Sequence, residues 1–152
     1  MRFSAVRPAS LLLAVLLLIP ACATSPAPAV GPEPEFAAVM TVERFLTAAN
    51  QNDLDTMAAL FGNREGSITR TWSKREQDER MFLLASLLRH SDYAVVGEQI
   101  VPGRRDEATQ LNVRVVVASG PVQVPFTMVR SRGQWLVEQV GIENITRGRT
   151  QP

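Results

Sequence analysis

The feature that most constrains this chain is a change of hydrophobic period near residue 92. Before it, apolar residues recur every third or fourth position, as one face of an α-helix requires; from Asp92 on they recur every second position, as one face of a sheet requires. Neither pattern can serve the other element without turning apolar side chains into water. Helices first and then an antiparallel meander is an α+β arrangement, with N-terminal helices packed on one face of a curved antiparallel sheet, a cone-like roll.

In residues 35–51, Phe36, Val39, Met40, Leu46 and Ala49 share one stripe, with Glu43, Arg44 and Gln51 off it. Asn52-Asp53 offers an N-cap for a short helix over 54–61, and Gly62 stands where its C-terminal cap is wanted. A turn over 63–66 leads to residues 67–72, whose β-branched and aromatic alternation predicts a short strand. Ser73 and Glu76 form a capping box for a helix running to Arg89. That helix is charged in its first two turns and apolar afterwards (Met81, Phe82, Leu83, Leu84, Leu87, Leu88), so its end is expected to pack on something large. Four strands are predicted, at 93–101, 108–118, 122–131 and 134–145, with turns at 102–106, Gly120-Pro121 and Ser131-Arg132-Gly133. Leu111, Val113, Val115 and Val117 face one way on the second strand, while Asn112 and Arg114 face the other. Pro125 cannot donate to a ladder and belongs at an edge or bulge of the third. The residues from Thr146 onward are polar and read as a frayed tail.

The first 34 residues obey neither period. Arg2 and Arg7 precede an unbroken apolar run of nine, residues 11–19, less than half of the roughly 20 that span a membrane. A short apolar core between basic and small residues has the form of a signal peptide, here 1–21. Ile19-Pro20-Ala21-Cys22 resembles the bacterial lipobox: an aliphatic residue, a variable one, a small one, then cysteine. The resemblance implies cleavage after Ala21, lipid on the Cys22 thiol and an acylated new amino terminus. In a Gram-negative cell, Ala23 rather than Asp after the cysteine implies the outer membrane, facing the periplasm. Acyl chains at roughly 0.8 kcal/mol per buried CH₂ suffice to anchor a chain when more than one is present. The other reading is an ordinary secretory signal with Ala21 or Ala23 flanking the cut. Prolines 26, 28, 32 and 34 keep residues 22–34 extended, a tether of about 3.1 Å per residue.

Charge narrows the partners of the remaining domain, 35–146, and the tail at 147–152. Removing the 2 arginines of the leader from 16 Lys+Arg leaves 14 against 15 Asp+Glu, about −1, which argues against nucleic acid. One cysteine excludes an internal disulfide.

The order of elements from 36 to 145 is similar to the nuclear transport factor 2-like superfamily, which includes ketosteroid isomerase. The residues that carry the likeness are Val42-Glu43-Arg44-Phe45-Leu46-Thr47-Ala48-Ala49, the stretch from Asp53 to Leu60-Phe61, and the closing strand Gly133-Gln134-Trp135-Leu136-Val137-Glu138. The resemblance implies a cone that can hold a small apolar ligand. In the family's enzymes a carboxylate or histidine base sits inside that cone, where a dry pocket tunes its pKa.

Candidates for such a set are His90, Asp92 and Tyr93 at a helix–strand junction, Asp53 and Asp55 at a helix start, and Asn112, Arg114, Gln123 and Thr127 on strands. Simpler roles exist for each: a histidine at a helix end, a strand-start aspartate, capping groups and a solvated sheet face. No catalytic residue of the family transfers to the chain. No phosphate loop, nucleophile elbow or zinc spacing occurs, so no cofactor and no metal are expected. Three functions remain open. One is a non-catalytic domain at the cell envelope, binding a small apolar ligand, an envelope protein or a second copy of itself. Another is an isomerase or dehydratase of ketosteroid-isomerase type. The third is a structural lipoprotein that depends on its anchor.

Overall fold

The computed structural model describes residues 34–149; the segment read as a signal peptide, Cys22, the stretch read as a tether up to residue 33, and residues 150–152 lie outside the described residues. Helices α1 (Pro34–Gln51), α2 (Leu54–Leu60) and α3 (Lys74–Leu88) precede a four-stranded antiparallel sheet. Its strands are β3 (Asp92–Ile100), β4 (Ala108–Val117), β5 (Gly120–Ser131) and β6 (Gln134–Val140), in the order β3-β4-β5-β6. A small hairpin, β1 (Gly62–Asn63) and β2 (Gly66–Ser67), and a 3₁₀ turn at Ile68–Arg70 connect α2 to α3, and α4 (Glu143–Arg149) closes the described chain. The fold is α+β, with N-terminal helices packed against a curved antiparallel sheet.

Local chemistry sets the boundaries. Pro34 opens α1, where its missing N–H costs nothing. Asn52 ends α1 at φ 56°, letting Asp53 N–H reach Ala48 O at 2.9 Å and its own N–H reach Ala49 O at 3.2 Å, a Schellman closure. Asp53 then caps α2, accepting from Thr56 N–H at 3.0 Å and from the Thr56 hydroxyl at 2.6 Å. The Ser73–Glu76 capping box is complete at the start of α3. Arg132 and Gly133, at φ 49° and 81°, make the β5–β6 turn, whose twist matches the strands it joins.

Several expectations change. Phe36 and Met40 are 58% and 41% exposed; the buried stripe of α1 is Ala38, Val42, Phe45, Leu46 and Ala49, shifted round the helix. Phe82 and Leu83 are likewise exposed, and Met81, Ala85, Leu87 and Leu88 carry the packing of α3. Residues 67–72 are not a strand beyond Ser67. The Ser67 hydroxyl donates to Ala58 O at 2.8 Å and accepts from Thr69 N–H, so local bonds wind the chain into the 3₁₀ turn. Gly62 is no helix cap: Phe61 ends α2, and a Cβ on Gly62 would lie 2.2 Å from Gly66 O, so the residue is small because the hairpin backbone passes against it. The β4–β5 turn is Ala118-Ser119, with Gly120 already paired to Val117 at φ 115°. The last strand stops at Val140 rather than 145. Gly141 N–H bonds Pro125 O at 2.8 Å, the Asn144 amide bonds Gln123 O at 2.8 Å, and Ile145 is buried, so α4 packs on β5 and runs into the segment read as a frayed tail.

The core lies between the helices and one face of the sheet. Register places Leu111 opposite Phe126, Val113 opposite Val124 and Val115 opposite Val122. Against this row pack Phe45, Leu46, Met57, Met81 and Leu88, and Phe45 meets Phe126 edge-on with centroids 6.4 Å apart.

Candidate functional site

The anticipated residues do not converge inside the sheet. Among the described residues the buried polar side chains are Gln77, Thr109 and Ser131, none of them ionisable. Gln77 is held by Trp72 O at 2.8 Å and Ser131 by Arg64 O at 3.0 Å. The space beneath the helices is occupied by apolar side chains.

His90, Asp92 and Tyr93 do come together, but at the rim. Asn50 clamps the His90 backbone from α1, donating to its carbonyl and accepting from its N–H, both at 3.0 Å. The His90 ring lies 2.8 Å from Leu88 O through Nδ1 and stands edge-on to Tyr93 at 5.3 Å. Tyr93 is half-buried opposite Val115 and bonds Thr47; burial first, then the Glu43 charge, raises its phenol above the usual range. Asp92 is exposed at the start of β3. The junction therefore ties α1 to the end of α3.

Asp53 is fully engaged as a cap, and the Thr56 hydroxyl and N–H hold its carboxyl below its ordinary pKa. Asp55 is exposed and pairs with Lys74, which also meets Asp78 at 2.6 Å; these bonds raise the Lys74 pKa. Arg114 pairs with Gln123, Asn112 with Pro125, and Gln110 with Thr127, on the sheet face opposite the buried row. Arg114 and Gln123 are exposed there, so this group is a solvated face. Pro125 sits in a central strand rather than at an edge; its ring contacts Gly141, where a Cβ would be 2.5 Å away, and its carbonyl takes the Gly141 N–H.

Two hollows lie at the rim around Tyr93, one of about 430 Å³ that takes in Glu43, Asp53 and Tyr93 and one of about 340 Å³ that takes in His90, Asp92 and Tyr93. A further concave space is at the far end of the inner face, beyond the helices. Along that row, Glu98 pairs opposite buried Leu111, Ile100 opposite Thr109, and Arg130 opposite Trp135. Glu98, Ile100, Thr109, Arg130 and Trp135, with Ala108 and the β3–β4 loop residues Arg105 and Asp106, line a cleft of about 490 Å³, within the range of small-ligand sites.

Its frame is fixed from outside. Arg104 forks onto both Glu138 oxygens at 2.7 and 3.1 Å, a half-buried pair that holds the arginine charge and raises its pKa. Arg130 N–H bonds Glu107 O at 2.7 Å, and Glu107 pairs with Arg64 at 2.9 Å. The loop is thereby tied to β5 and β6, with Arg105 and Asp106 at its exposed tip. Within the cleft the Thr109 hydroxyl lies 2.6 Å from Glu98 Oε1. Trp135 packs against the core from the cleft wall and carries the apolar surface of the site with Ile100, which is 59% exposed. Of these residues only Trp135 stood out in the sequence, as part of the closing strand.

Among the described residues no group of three or more His, Cys, Asp or Glu is placed to hold a metal ion, and no helix is long and apolar enough to cross a membrane.

No family model and no curated protein matches the chain in sequence. Solved structures similar to it include a DUF4783 family protein from Bacteroides ovatus (TM-score 0.43, 17% identity, 64% of this chain and 88% of that one). A five-substitution variant of Rd1NTF2_05 is similar at TM-score 0.44 and 16% identity, over 70% of this chain and 96% of that one. So is a protein of unknown function with a cystatin-like fold from Nostoc punctiforme, at TM-score 0.45 and 11% identity, over 70% of this chain and 86% of that one. The resemblance is distant and partial.

Proposed function

We propose that the protein is a lipid-tethered binding module of the cell envelope, not an enzyme, and that it takes a small ligand in the cleft at the open end of its sheet. One observation carries the binding reading: the interior under the helices is filled by apolar side chains without an ionisable group, while the same sheet face opens beyond them into a cleft with an aromatic wall and charged sides. General acid–base chemistry needs an ionisable side chain in a dry pocket to tune its pKa. The half-buried Tyr93 faces Thr47 and Glu43 at a rim, and the carboxylates are at least partly exposed. The tether reading rests on the sequence alone: the basic start, the apolar run of nine, Ala21-Cys22 and the proline-rich stretch after it.

Purification of the native protein from membranes, followed by intact mass spectrometry, tests both halves. The expected result is a chain beginning at Cys22 with acyl mass on it, together with a small molecule that dissociates on unfolding. A chain beginning elsewhere without acyl mass defeats the tether. Recovery without any small molecule, and no binding of one by the cleft in titration, defeats the ligand.

A further inference from the structure

We infer that the cleft at the open end of the sheet selects a ligand with an anionic head, carboxylate or phosphate, on a planar apolar body. The inference rests on the binding-module reading and specifies its ligand. Guanidiniums without an ion-pair partner point to the anionic head. Arg64, Lys74, Arg75 and Arg104 each hold a carboxylate. Among the described residues Arg105 and Arg130, the two guanidiniums lining the cleft, hold none. The cleft is also lined by two carboxylates, Glu98, which accepts from the Thr109 hydroxyl at 2.6 Å, and Asp106, at the exposed tip of the loop; among the described residues neither lies within ion-pair distance of Arg105 or Arg130.

Two planar, permanently charged forks lining one cleft make a ready receptor for an oxyanion, which guanidinium grips through two parallel N–H bonds. The backbone that presents them is already fixed, at Arg105 by the Arg104–Glu138 fork next to it and at Arg130 by its N–H bond to Glu107, so binding has to order the two side chains but little of the main chain. The body of the ligand is set by Trp135 and Ile100. A partly open indole wall accepts a flat ring offset-stacked on it. The volume of about 490 Å³ accommodates a bicyclic acid.

Calorimetric titration of the full chain with naphthoate, naphthyl phosphate, naphthylmethanol and naphthylmethylammonium tests this directly. The body is constant and only the head changes. The expected order has at least one of the two anions binding about tenfold or more tighter than the alcohol, with the ammonium weakest. Which anion leads distinguishes a carboxylate ligand from a phosphate ligand. The double variant Arg105→Gln/Arg130→Gln, checked for folding by circular dichroism, is expected to bind the anions no better than the alcohol. Equal binding of all four heads, or undiminished anion preference in the double variant, overturns the anionic ligand while leaving the cleft as a binding site. Failure of all four probes to bind overturns the anionic ligand together with the cleft's role as a binding site.

Discussion

One face of one sheet does two different things along its length. At the helix-covered end, Leu111, Val113, Val115, Val124 and Phe126 are fully buried against Phe45, Leu46 and Met57. At the open end the same rows continue as Glu98, Ile100, Arg130 and Trp135, which are exposed or half-exposed around a cleft. The β4–β5 ladder is continuous through both, while β3 and β6 each follow it with one register shift, at Val95/Gly97 and at Thr127/Met128; what changes most is whether a helix lies above it. Burial at the covered end supplies the stability that lets the open end carry charges with no structural partner. Changes at the covered end should therefore be felt as stability, and changes at the open end as recognition.

The largest effect is expected for Phe126→Ala. Removing a fully buried ring that meets Phe45 should cost about 3–5 kcal/mol, read as a shift of the denaturation midpoint. A loss below 1 kcal/mol would mean that the covered end is not the packed core described here. Next is Gly62→Ala: a Cβ 2.2 Å from Gly66 O has backbone in its way, and relief by movement of the hairpin should cost about 1–3 kcal/mol in the same assay.

Ser73→Ala removes one half of the capping box and should cost about 1 kcal/mol at neutral pH. Its pH dependence sharpens the assignment. The Ser73 N–H and hydroxyl hold the Glu76 carboxyl below its ordinary pKa in the folded state, so the bond stabilises above the unfolded pKa and is lost as pH falls through the folded value. Denaturation in mild acid, below about pH 4, should then show a smaller gap between variant and parent than at pH 7. A gap that widens in acid would contradict the cap.

The smallest stability effect belongs to the open end. Arg105→Gln should change the unfolding free energy by no more than about 0.5 kcal/mol, because its side chain is exposed and holds no carboxylate. The comparison breaks if this variant destabilises as much as Gly62→Ala.

The two ends also differ in how far the sequence discloses them. The caps at Asp53 and Ser73 and the Arg132-Gly133 turn are local arrangements, complete within four residues, and are legible from spacing alone. The alternating rows of β4 and β5 are legible for the same reason, because strand geometry sends every second side chain to one face. The stripe of α1 was misphased because Phe36 and Met40, large and apolar, lie outside the face that smaller Ala38 and Ala49 help to bury. The strand expected at 67–72 yielded to the Ser67 hydroxyl, whose partner Ala58 is nine residues away on another element. The cleft was illegible in a deeper sense. Its residues come from the end of β3, a loop, the start of β4, β5 and β6, and an arginine on a hairpin loop has no periodicity to mark it. Only register and loop placement bring Arg105 and Arg130 to the same hollow, and only the ion pairs among the described residues show that neither is paired there.

The most direct measurement of the central claim is amide chemical-shift mapping of the isotope-labelled full chain during titration with naphthoate. The account predicts saturable shifts concentrated at residues 98–109 and 130–135, with the amides of Val113, Val115 and Val124 unmoved. Shifts centred instead on Tyr93, His90 and α1, or spread through the rows beneath the helices, would contradict the division between a filled end that holds the fold and an open end that binds.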